Sequence, residues 1–432
     1  MDLAYYGDDF TGSTDVLESL ALAGIDAELC VAGEPADGGW VARPHADAIG
    51  LAGLSRTFSP AGMGARLPGA FEALAAARPR FLHYKVCSTF DSSPTVGSIG
   101  RAIEIGRRVL PTRWTPLVVA APHLGRWCAF GNLFARSGLA SPAYRLDRHP
   151  TMSRHPVTPM DEADLRLVLA RQTDLPVTLV DLPTVEEGTE AMLAAIEQAP
   201  DGVVLFDATT VTHLATIGQA LDALQRRAAS PLFVAGSSGI EAALVAAGVL
   251  RPSPRADARV EPGVLPSGPV LVISGSRSPV TARQMTAAIE AGFHDVPLVA
   301  SDDDATHDAK ATSATTAHRE GRSVMLRPGE GDWSAVAGTA LGRLLGRIAG
   351  RILDVAPFRR VVVAGGDTSG DVARRLGISS LRFIAPLAPG APWCRVTSTR
   401  PAIDGAAFAF KGGQVGRDDF FIAARDWRST PT

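Results

Sequence analysis

Short apolar strands, glycine-containing turns and helix-forming segments alternate along most of this chain, and this alternation constrains its fold more than any other feature. The clearest example lies at residues 361–370, where three valines precede Ala-Gly-Gly-Asp-Thr-Ser-Gly. β-Branched residues favour a short buried strand. Gly365 and Gly366 allow a sharp turn and a close approach of the backbone to a ligand. Strands that alternate with helices predict parallel sheets, with the turns gathered at the carboxyl ends of the strands.

The turn at 365–370 has the features of an anion-binding site. Thr368 or Ser369 can cap a helix that starts near Asp371. The free backbone N–H groups and the dipole of a helix N-terminus attract phosphate or carboxylate groups. A plain connection between a strand and a helix is the alternative, so the surrounding motifs have to decide.

A second turn of this kind follows the first predicted strand, residues 3–6. It reads Gly-Asp-Asp-Phe-Thr-Gly-Ser and precedes a predicted helix at 14–23. One carboxylate is enough to cap a helix, whereas two adjacent carboxylates repel each other. We therefore expect Asp8 or Asp9 to contact a ligand or a metal, with helix capping as the alternative.

Two further predicted strands end in basic residues. Arg56 follows the strand at 48–51, and Lys85 lies near the end of the strand at 81–86. A guanidinium can bind a carboxylate through two parallel hydrogen bonds, although an ordinary surface arginine is an equally simple interpretation. The hydroxyl-rich segment after Lys85 suits a polyhydroxy or carboxylate ligand. Cys87 has no evident base beside it, which favours packing over a nucleophilic role.

Composition excludes several classes of function. The chain has 432 residues, 46% of them hydrophobic and 20% charged, which is typical of a globular protein with two or three domains. A net charge of −3 gives no electrostatic case for binding nucleic acid or an anionic membrane. The N-terminus lacks the basic start and apolar run of a signal peptide, and no apolar segment approaches about 20 residues. The four scattered cysteines are typical of reduced thiols, so we expect a cytoplasmic protein.

Prolines 252, 254, 262 and 266 mark a break in the alternation. We predict a substrate-binding domain at 1–250, a linker at 251–267 and a nucleotide-binding domain at 268–432. The predicted fold class is α/β, with a mostly parallel sheet flanked by helices in each domain. Residues 123–160 are the least regular and are interpreted as a polar loop that closes over a substrate. The spacing of the three histidines in this loop fits no known metal-ligand pattern, so no metal ligand is assigned.

Five motifs taken together, in this order, resemble the four-carbon acid sugar kinase family, formerly a domain of unknown function. The resemblance covers about residues 3–425 and implies a two-domain ATP-dependent kinase for threonate, erythronate, 3-oxo-tetronate or related branched oxo-acids. The N-terminal domain would hold the acid and the C-terminal domain the nucleotide. Residues 85–94 and 148–161 are most similar to the 3-oxo-tetronate and 3-oxo-isoapionate branch. The motifs lie at residues 6–13, 84–89, 275–278, 365–370 and 411–413.

The resemblance assigns residues to both substrates. Those implied to bind the acid are Asp9, Arg56, Lys85, Val86, Cys87, Ser88 and Thr89. Those implied to bind the nucleotide are Ser274, Ser276, Gly365, Gly366, Asp367, Thr368, Gly412 and Gly413. Many members carry Glu where this chain has Asp367, which leaves open any role that needs a longer carboxylate.

Phosphoryl transfer depends on positioning and charge neutralisation. Mg²⁺ would bridge the phosphates, mostly through water and through one carboxylate such as Asp367. The attacking hydroxyl needs a base or an orienting acceptor. Asp8 and Asp9 are the candidates for that role, with Asp367 as the competitor.

Three alternatives remain open at this level. The first is a D-threonate or D-erythronate kinase, and the second is a non-catalytic protein that binds small acids. The third is a dinucleotide-dependent oxidoreductase, but neither glycine-rich turn fits the Gly-x-Gly-x-x-Gly pattern. The chain also lacks the P-loop motif. Expected partners are a small sugar acid and ATP, with no nucleic acid and no membrane, and a homodimer is left open.

Overall fold

The computed structural model describes residues 1–31, 46–137, 141–155, 157–228, 231–253, 265, 267–329, 333 and 338–427. Contacts between residues divide the described chain into two compact units. The first unit lies within Met1–Asp8, Ser19–Asp26 and Val41–Ser253, and the second lies within Asp9–Glu18, Ala27–Trp40 and Pro254–Thr432.

The first unit contains a parallel sheet whose strands are buried except at the edge strand Val177–Val180, as expected where helices cover a parallel sheet. In spatial order the strands are β3 (Ala48–Ala52), β1 (Leu3–Gly7), β4 (Phe81–Lys85), β11 (Leu232–Gly236), β5 (Trp114–Val118), β10 (Gly202–Phe206) and β9 (Val177–Val180). The helices are α2 (Pro60–Ala76), α3 (Ile99–Val109), α4 (Leu165–Ala170), α5 (Leu182–Glu187), α6 (Thr189–Gln198), α7 (Val211–Arg227) and α8 (Gly239–Ala246). Helix α1 (Phe10–Leu22) contributes its residues 10–18 to the second unit.

The region predicted to be an irregular loop contains a small antiparallel sheet, which the sequence analysis missed. Its strands are β6 (Arg126–Ala129), β7 (Asn132–Arg136) and β8 (Ala143–Arg145). Cys128 forms a bridge to Ala208, just after β10, so this sheet lies at the carboxyl edge of the parallel sheet. The strands are short and only partly buried, and their residues therefore do not alternate clearly between apolar and polar.

The second unit combines parallel and antiparallel strands. In spatial order they are β13 (His294–Leu298), β14 (Val324–Pro328), β12 (Val270–Ser274), β15 (Arg360–Ala364), β18 (Ala407–Lys411), β17 (Ala391–Ser398), β16 (Ile378–Ala388) and β2 (Ala27–Cys30). Its helices are α9 (Pro279–Glu290), α10 (Asp304–Arg319), α11 (Gly338–Val355), α12 (Gly366–Arg375) and α13 (Phe420–Asp426).

The first five strands of the second unit run parallel, whereas the last three pair antiparallel. The expectation of parallel pairing throughout is therefore wrong here. Pro386 and Pro392 interrupt the strand pattern in the sequence. The long hairpin β16–β17 accommodates them through shifts in register and turns at Gly390, which has a φ of 78°.

The predicted fold class is confirmed, since each unit is built on a mostly parallel sheet with helices. The domain boundaries at 250 and 268 stay a prediction, and most of the proposed linker, residues 254–264 and 266, lies outside the described residues. In the part of the chain that the structure describes, no helix is both long and apolar enough to cross a membrane.

The contact between α7 and α8 depends on Gly218. A Cβ on Gly218 would overlap the carbonyl oxygen of Ala243 and lie 2.7 Å from its carbonyl carbon. Because this obstacle is backbone, we expect Gly218→Ala to destabilise the protein by about 1–3 kcal/mol. Gly69 on α2 is the matched control, since a Cβ there meets nothing within 4 Å. Thermal unfolding should show a lower midpoint for Gly218→Ala and no decrease for Gly69→Ala, and equal midpoints for the two variants would contradict this packing.

Candidate active site

The first unit brings several predicted residues to one edge of its sheet. Gly7 pairs with Lys85, and Lys85 pairs with Gly236, so β1, β4 and β11 end at the same level. The backbone N–H of Asp8 donates to the carbonyl of Lys85 at 2.9 Å. Asp8 and Lys85 are both nearly inaccessible, with 2% and 3% of their surfaces exposed. The sheet register therefore places a buried acid beside a buried base at the carboxyl edge.

Asp8 is paired with Arg56 through two hydrogen bonds. Arg56 Nη2 donates to Asp8 Oδ1 at 2.8 Å, and Arg56 Nε donates to Asp8 Oδ2 at 3.1 Å. The backbone N–H of Arg56 also donates to the carbonyl of Asp8 at 3.0 Å. This two-pronged geometry is the strong form of an ion pair. One edge of the Arg56 guanidinium thus serves Asp8, and its predicted role as a clamp on the acid stays a prediction.

The segment after β4 forms a tight hydrogen-bonded loop. The Thr89 hydroxyl donates to Asp91 Oδ1 at 2.6 Å and lies 2.9 Å from the Cys87 sulfur. Val86 N–H donates to the carbonyl of Gly236 at 2.7 Å. Phe90 is fully buried and has a φ of 59°, a conformation that bulky residues rarely adopt. Such local strain is held in place by the surrounding structure and is common at binding sites.

Asp9 caps helix α1, which is the alternative to ligand binding that the sequence left open. It precedes α1, and its carboxylate accepts hydrogen bonds from Gly12 N–H and from the Thr11 hydroxyl, both at 2.8 Å. This is the geometry of a helix cap. Asp9 also lies near the glycine turn of the second unit, since a Cβ built on Gly366 would be 4.0 Å from Asp9 Oδ2. Capping therefore does not remove Asp9 from the candidates for the base or orienting acceptor, and its predicted contact with the acid stays a prediction.

Three turns meet in the second unit, after the adjacent strands β12, β15 and β18. A Cβ on Gly365 would lie 3.3 Å from the Ser276 nitrogen, and a Cβ on Gly413 would lie 3.0 Å from Ser276 Oγ. Gly365 has a φ of 119°, which only glycine adopts without strain. The structure therefore brings the predicted nucleotide-binding residues together. The strand and turn residues concerned are Ser274, Ser276, Gly365, Gly366, Asp367, Thr368, Gly412 and Gly413.

Helix α12 begins earlier than predicted. It starts at Gly366, with Gly365 in the N-cap position, so Thr368 and Ser369 lie inside the helix and do not cap it. The expected start near Asp371 is therefore wrong, because a glycine turn can enter a helix directly without a polar cap. Asp367 is exposed in the first helical turn, and Thr368 is buried beside it. The first N–H groups of α12 have no partner within the helix, which makes this end suitable for an anion.

Ser274 adds a polar atom to the same place. It ends β12, is fully buried, and its hydroxyl oxygen has no hydrogen-bond partner among the described residues. Each buried unsatisfied group costs stability, so it is often explained by a water or a ligand that completes the site. Its position beside the three turns is consistent with the predicted role in binding the nucleotide.

Three polar residues near the predicted acid site were not predicted from the sequence: Asp91, Arg126 and His149. The charge of Asp91 acts on both Arg126 and His149, which places the three side chains near one another. They come from β6 and from two separate loops, and no spacing rule links them. The only available signal was the repeated Arg-His-Pro sequence that contains His149.

Lys411, the last residue of β18, is completely buried. Its ammonium donates to the Thr281 hydroxyl at 3.0 Å and lies over the rings of Phe420 and Phe421. The Thr281 hydroxyl in turn donates to the carbonyl of Gly413 at 2.9 Å. Burial lowers the pKa of Lys411 to about 8.

This lowered pKa predicts a dependence of stability on pH. Between about pH 8 and pH 10.5 the unfolded chain holds the Lys411 proton and the folded chain loses it, so stability rises with pH. Below pH 8 both states hold the proton, and the buried charge costs up to about 3 kcal/mol. At pH 7 Lys411→Met should therefore have a larger free energy of unfolding than the wild type. This difference, measured by urea unfolding, should shrink as the pH rises from 7 to 10. Lys310→Met, which removes an ion-paired lysine of the same unit, is the control; a difference that does not change with pH would contradict the prediction.

All four cysteines are free. Burial raises the pKa of Cys87 to about 11, aided by the charge of Asp91, and raises that of Cys30 to about 12. Burial also raises the pKa of Cys128 and of Cys394. The protonated thiol is a poor nucleophile, which agrees with the packing role expected for Cys87.

We therefore expect the cysteines of the native protein to react slowly with a thiol reagent at pH 7.5. After denaturation, all four thiols should react. A fast-reacting thiol in the native protein, absent in Cys87→Ser, would contradict the assignment of Cys87 as a non-nucleophilic residue.

Comparison with known proteins assigns the two halves of the chain to known domains. Residues 3–244 match the family model described as a sugar-binding N-terminal domain, and residues 271–421 match that of a nucleotide-binding C-terminal domain. A 3-oxo-isoapionate kinase from Paraburkholderia graminis is 44% identical, over 99% of this chain and 94% of the relative. A 3-oxo-tetronate kinase from Cupriavidus necator is 32% identical, over 98% of this chain and 96% of the relative.

Solved structures share the fold. The crystal structure of a candidate tRNA synthase from Salmonella typhimurium LT2 has a TM-score of 0.79 at 24% identity and covers 99% of both chains. A Haemophilus influenzae protein from a family of unknown function has a TM-score of 0.72 at 21% identity, over 98% of this chain and 99% of that one. These likenesses support the fold alone. The two family models and the 44% identity over nearly the whole length confirm the predicted resemblance: the chain belongs to the four-carbon acid sugar kinase family.

Proposed function

We propose that this protein is an ATP-dependent kinase that phosphorylates a hydroxyl group of 3-oxo-isoapionate or of a closely related oxo sugar acid. Membership of the family supports the sugar-acid kinase role, and the 44% identical relative supports the oxo-isoapionate branch. The structural observation that supports it most is the convergence of three turns at the start of α12 in the second unit. An anion site of this kind suits the phosphates of a nucleotide.

On the nucleotide side, the proposed ligands are mostly backbone groups. The N-terminus of α12 offers N–H donors to a phosphate, and the turn at Gly412 and Gly413 closes the site from β18. A Cβ on Gly413 would lie 3.0 Å from Ser276 Oγ, so a larger residue at position 413 would displace the serine side chain. Glycine is therefore required where backbone must approach phosphate closely.

On the acid side, the proposed ligands are Lys85 and the loop that follows it. Lys85 supplies a positive charge at the carboxyl edge of the sheet, and the loop supplies hydroxyl and backbone groups at Ser88 and Thr89. Arg56 and Asp8 form an ion pair beside them, in which Asp8 is buried and Arg56 is partly exposed. Removing one partner of such a pair leaves an uncompensated charge, so we assign Asp8 the role of holding Arg56 in place.

For the attacking hydroxyl, Asp9 is the better candidate for the orienting acceptor. Asp9 is more exposed than Asp8, and it lies beside Gly366 at the nucleotide turns. In phosphoryl transfer such an acceptor orients the hydroxyl and receives its proton as the bond to phosphorus forms. Asp8 remains the alternative, since both aspartates were candidates on the sequence.

Mg²⁺ is proposed as the metal cofactor. Among the described residues, no group of three or more His, Cys, Asp or Glu could hold a metal, but Mg²⁺ on a nucleotide usually needs only one or two carboxylates besides phosphates and water. The exposed carboxylate of Asp367, in the first turn of α12, fits that requirement. When bound there, Mg²⁺ would neutralise charge on the phosphates.

A cytoplasmic location is also proposed, supported by the four free cysteines. A homodimer stays a prediction without a supporting observation in this chain. The second candidate substrate class is 3-oxo-tetronate, which is favoured by several relatives named for it at 32–33% identity.

The test is ATP consumption by the full chain with each acid, with ADP release and the phosphorylated product measured together. We expect turnover with 3-oxo-isoapionate generated in the assay to exceed that with 3-oxo-tetronate, D-threonate or D-erythronate. Preference for D-threonate or D-erythronate would move the protein to the other branch of the family. No ATP-dependent turnover with any of these acids would overturn the proposal.

Gly365→Ala tests the nucleotide turn separately. A side chain at a φ of 119° is strained and would press on Ser276, so we expect the KM for ATP to rise about 10-fold or more, with acid binding unchanged. Gly292→Ala is the control, since Gly292 also has a positive φ of 91° but a Cβ there meets nothing within 4 Å. Equal ATP kinetics in the two variants would remove the turn from the nucleotide site.

A further inference from the structure

The feature that carries a further inference is Arg126, the first residue of β6. Its Nη1 donates to the carbonyls of Leu124 at 2.8 Å and Gly125 at 3.1 Å. Its Nε is buried and has no hydrogen-bond partner among the described residues. The guanidinium is thus held by backbone carbonyls, with no ion-paired carboxylate in the described part of the chain. A half-buried cation without an ion-paired carboxylate is costly, and binding an anion would offset that cost.

The surroundings of Arg126 place it at the predicted acid site. Its charge acts on the Asp91 carboxylate and on the titration of the Cys87 thiol, and the charge of Arg56 acts on the same thiol. The loop that follows Lys85 is therefore near two guanidinium groups. They differ in one respect, because Arg56 is bound in two-pronged fashion by the buried carboxylate of Asp8. Of the two, Arg126 is the better placed to receive a carboxylate from outside the protein.

His149 presents a second hydrogen-bond donor in the same cluster. It is 4% exposed, and its Nδ1 accepts hydrogen bonds from the backbone N–H groups of Thr151 at 3.2 Å and Met152 at 3.1 Å. The proton of the neutral ring must then reside on Nε2. That atom is buried and makes no hydrogen bond of ordinary length and angle among the described residues, although the backbone of Arg136 is close enough to act on the ring.

The ring of His149 stays neutral near physiological pH. Burial lowers the pKa of His149, and the charge of Arg126 lowers it further. The backbone of Arg136 and the charge of Asp91 act in the opposite direction without reversing this. These charge interactions also place His149 in the same group as Arg126 and Asp91. The side chain therefore offers an uncharged N–H donor rather than a second positive charge.

We propose that Arg126 binds the carboxylate of the sugar acid and that the Nε2–H of His149 donates a hydrogen bond to an oxygen of the same molecule. The identity of the acid rests on the proposed function, but the recognition of a small polyhydroxy carboxylate does not. Charge-assisted bonds from a guanidinium to a carboxylate are strong and directional. Both residues come from the region of the small antiparallel sheet, so this region would contribute directly to binding the acid.

The test measures binding by calorimetry to the full chain, without nucleotide. The probes are D-erythronate and erythritol, which has the same four-carbon chain with a hydroxymethyl group in place of the carboxylate. We expect the wild type to prefer the acid, and Arg126→Gln to weaken acid binding roughly 10- to 100-fold with little effect on erythritol. Arg113→Gln is the control, because it removes the same charge from an exposed residue at the start of β5, the opposite edge of the sheet.

Two further variants separate binding from folding. Arg126→Lys keeps the charge without the planar fork and should lie between the wild type and Arg126→Gln. His149→Asn keeps an acceptor near Nδ1 for the loop but removes the Nε2 donor, so it should weaken acid binding without lowering the melting temperature. His149→Gln places an amide near the position of Nε2 and should bind the acid better than His149→Asn.

The outcomes distinguish this inference from the proposed function. Loss of the acid preference in Arg126→Gln supports the inference even if no acid is phosphorylated, in which case only the kinase assignment fails. An unchanged preference for the acid in both folded Arg126 variants overturns the inference. In that case Arg56 would again be the candidate for binding the carboxylate. Equal weakening of acid and erythritol, or no binding of either probe by the wild type, overturns it as well.

Discussion

Parallel strand pairing is the constraint on which both candidate sites depend. Among the parallel strands of each unit, neighbours end at the same level, and the turns that follow them therefore open on the same edge of the sheet. Residues far apart in sequence, such as Gly365 and Gly413, become neighbours only because β15 and β18 run in the same direction. The helix that follows each turn adds unpaired N–H groups at that edge. The binding chemistry is thus a consequence of strand direction before it is a consequence of any single side chain.

Buried and partly buried charges are stabilised in three different ways. Asp8 and Arg56 neutralise each other within the first unit. Lys411 has no carboxylate partner among the described residues, and burial lowers its pKa instead. In the part of the chain that the structure describes, Arg126 is hydrogen-bonded by carbonyl groups alone, which leaves its charge available to a ligand. Desolvation makes each arrangement costly, and the different solutions separate structural ion pairs from groups prepared for binding.

The sequence predicted the glycine turns, the acidic pair and the basic strand ends, because each follows from a local pattern of strand, turn and helix start. It also predicted the fold class and the family. It failed where the local pattern was weak or misleading. The small antiparallel sheet has partly buried strands, the hairpin of β16 and β17 contains prolines, and α12 starts from a glycine without a polar cap. The joint positions of Asp91, Arg126 and His149 could not be predicted, since they lie on separate segments.

What the sequence determined by itself was therefore the class of chemistry: anion-binding turns after buried strands, with acids and bases at strand ends. Only the tertiary structure decided how the charges are shared. It paired Asp8 with Arg56, used Asp9 to cap α1, and gave Arg126 backbone carbonyl partners. The physical reason is that pairing depends on distances of a few ångströms between side chains from different segments. Those distances are set by strand order and packing, whereas the type and spacing of residues along the chain do not define them.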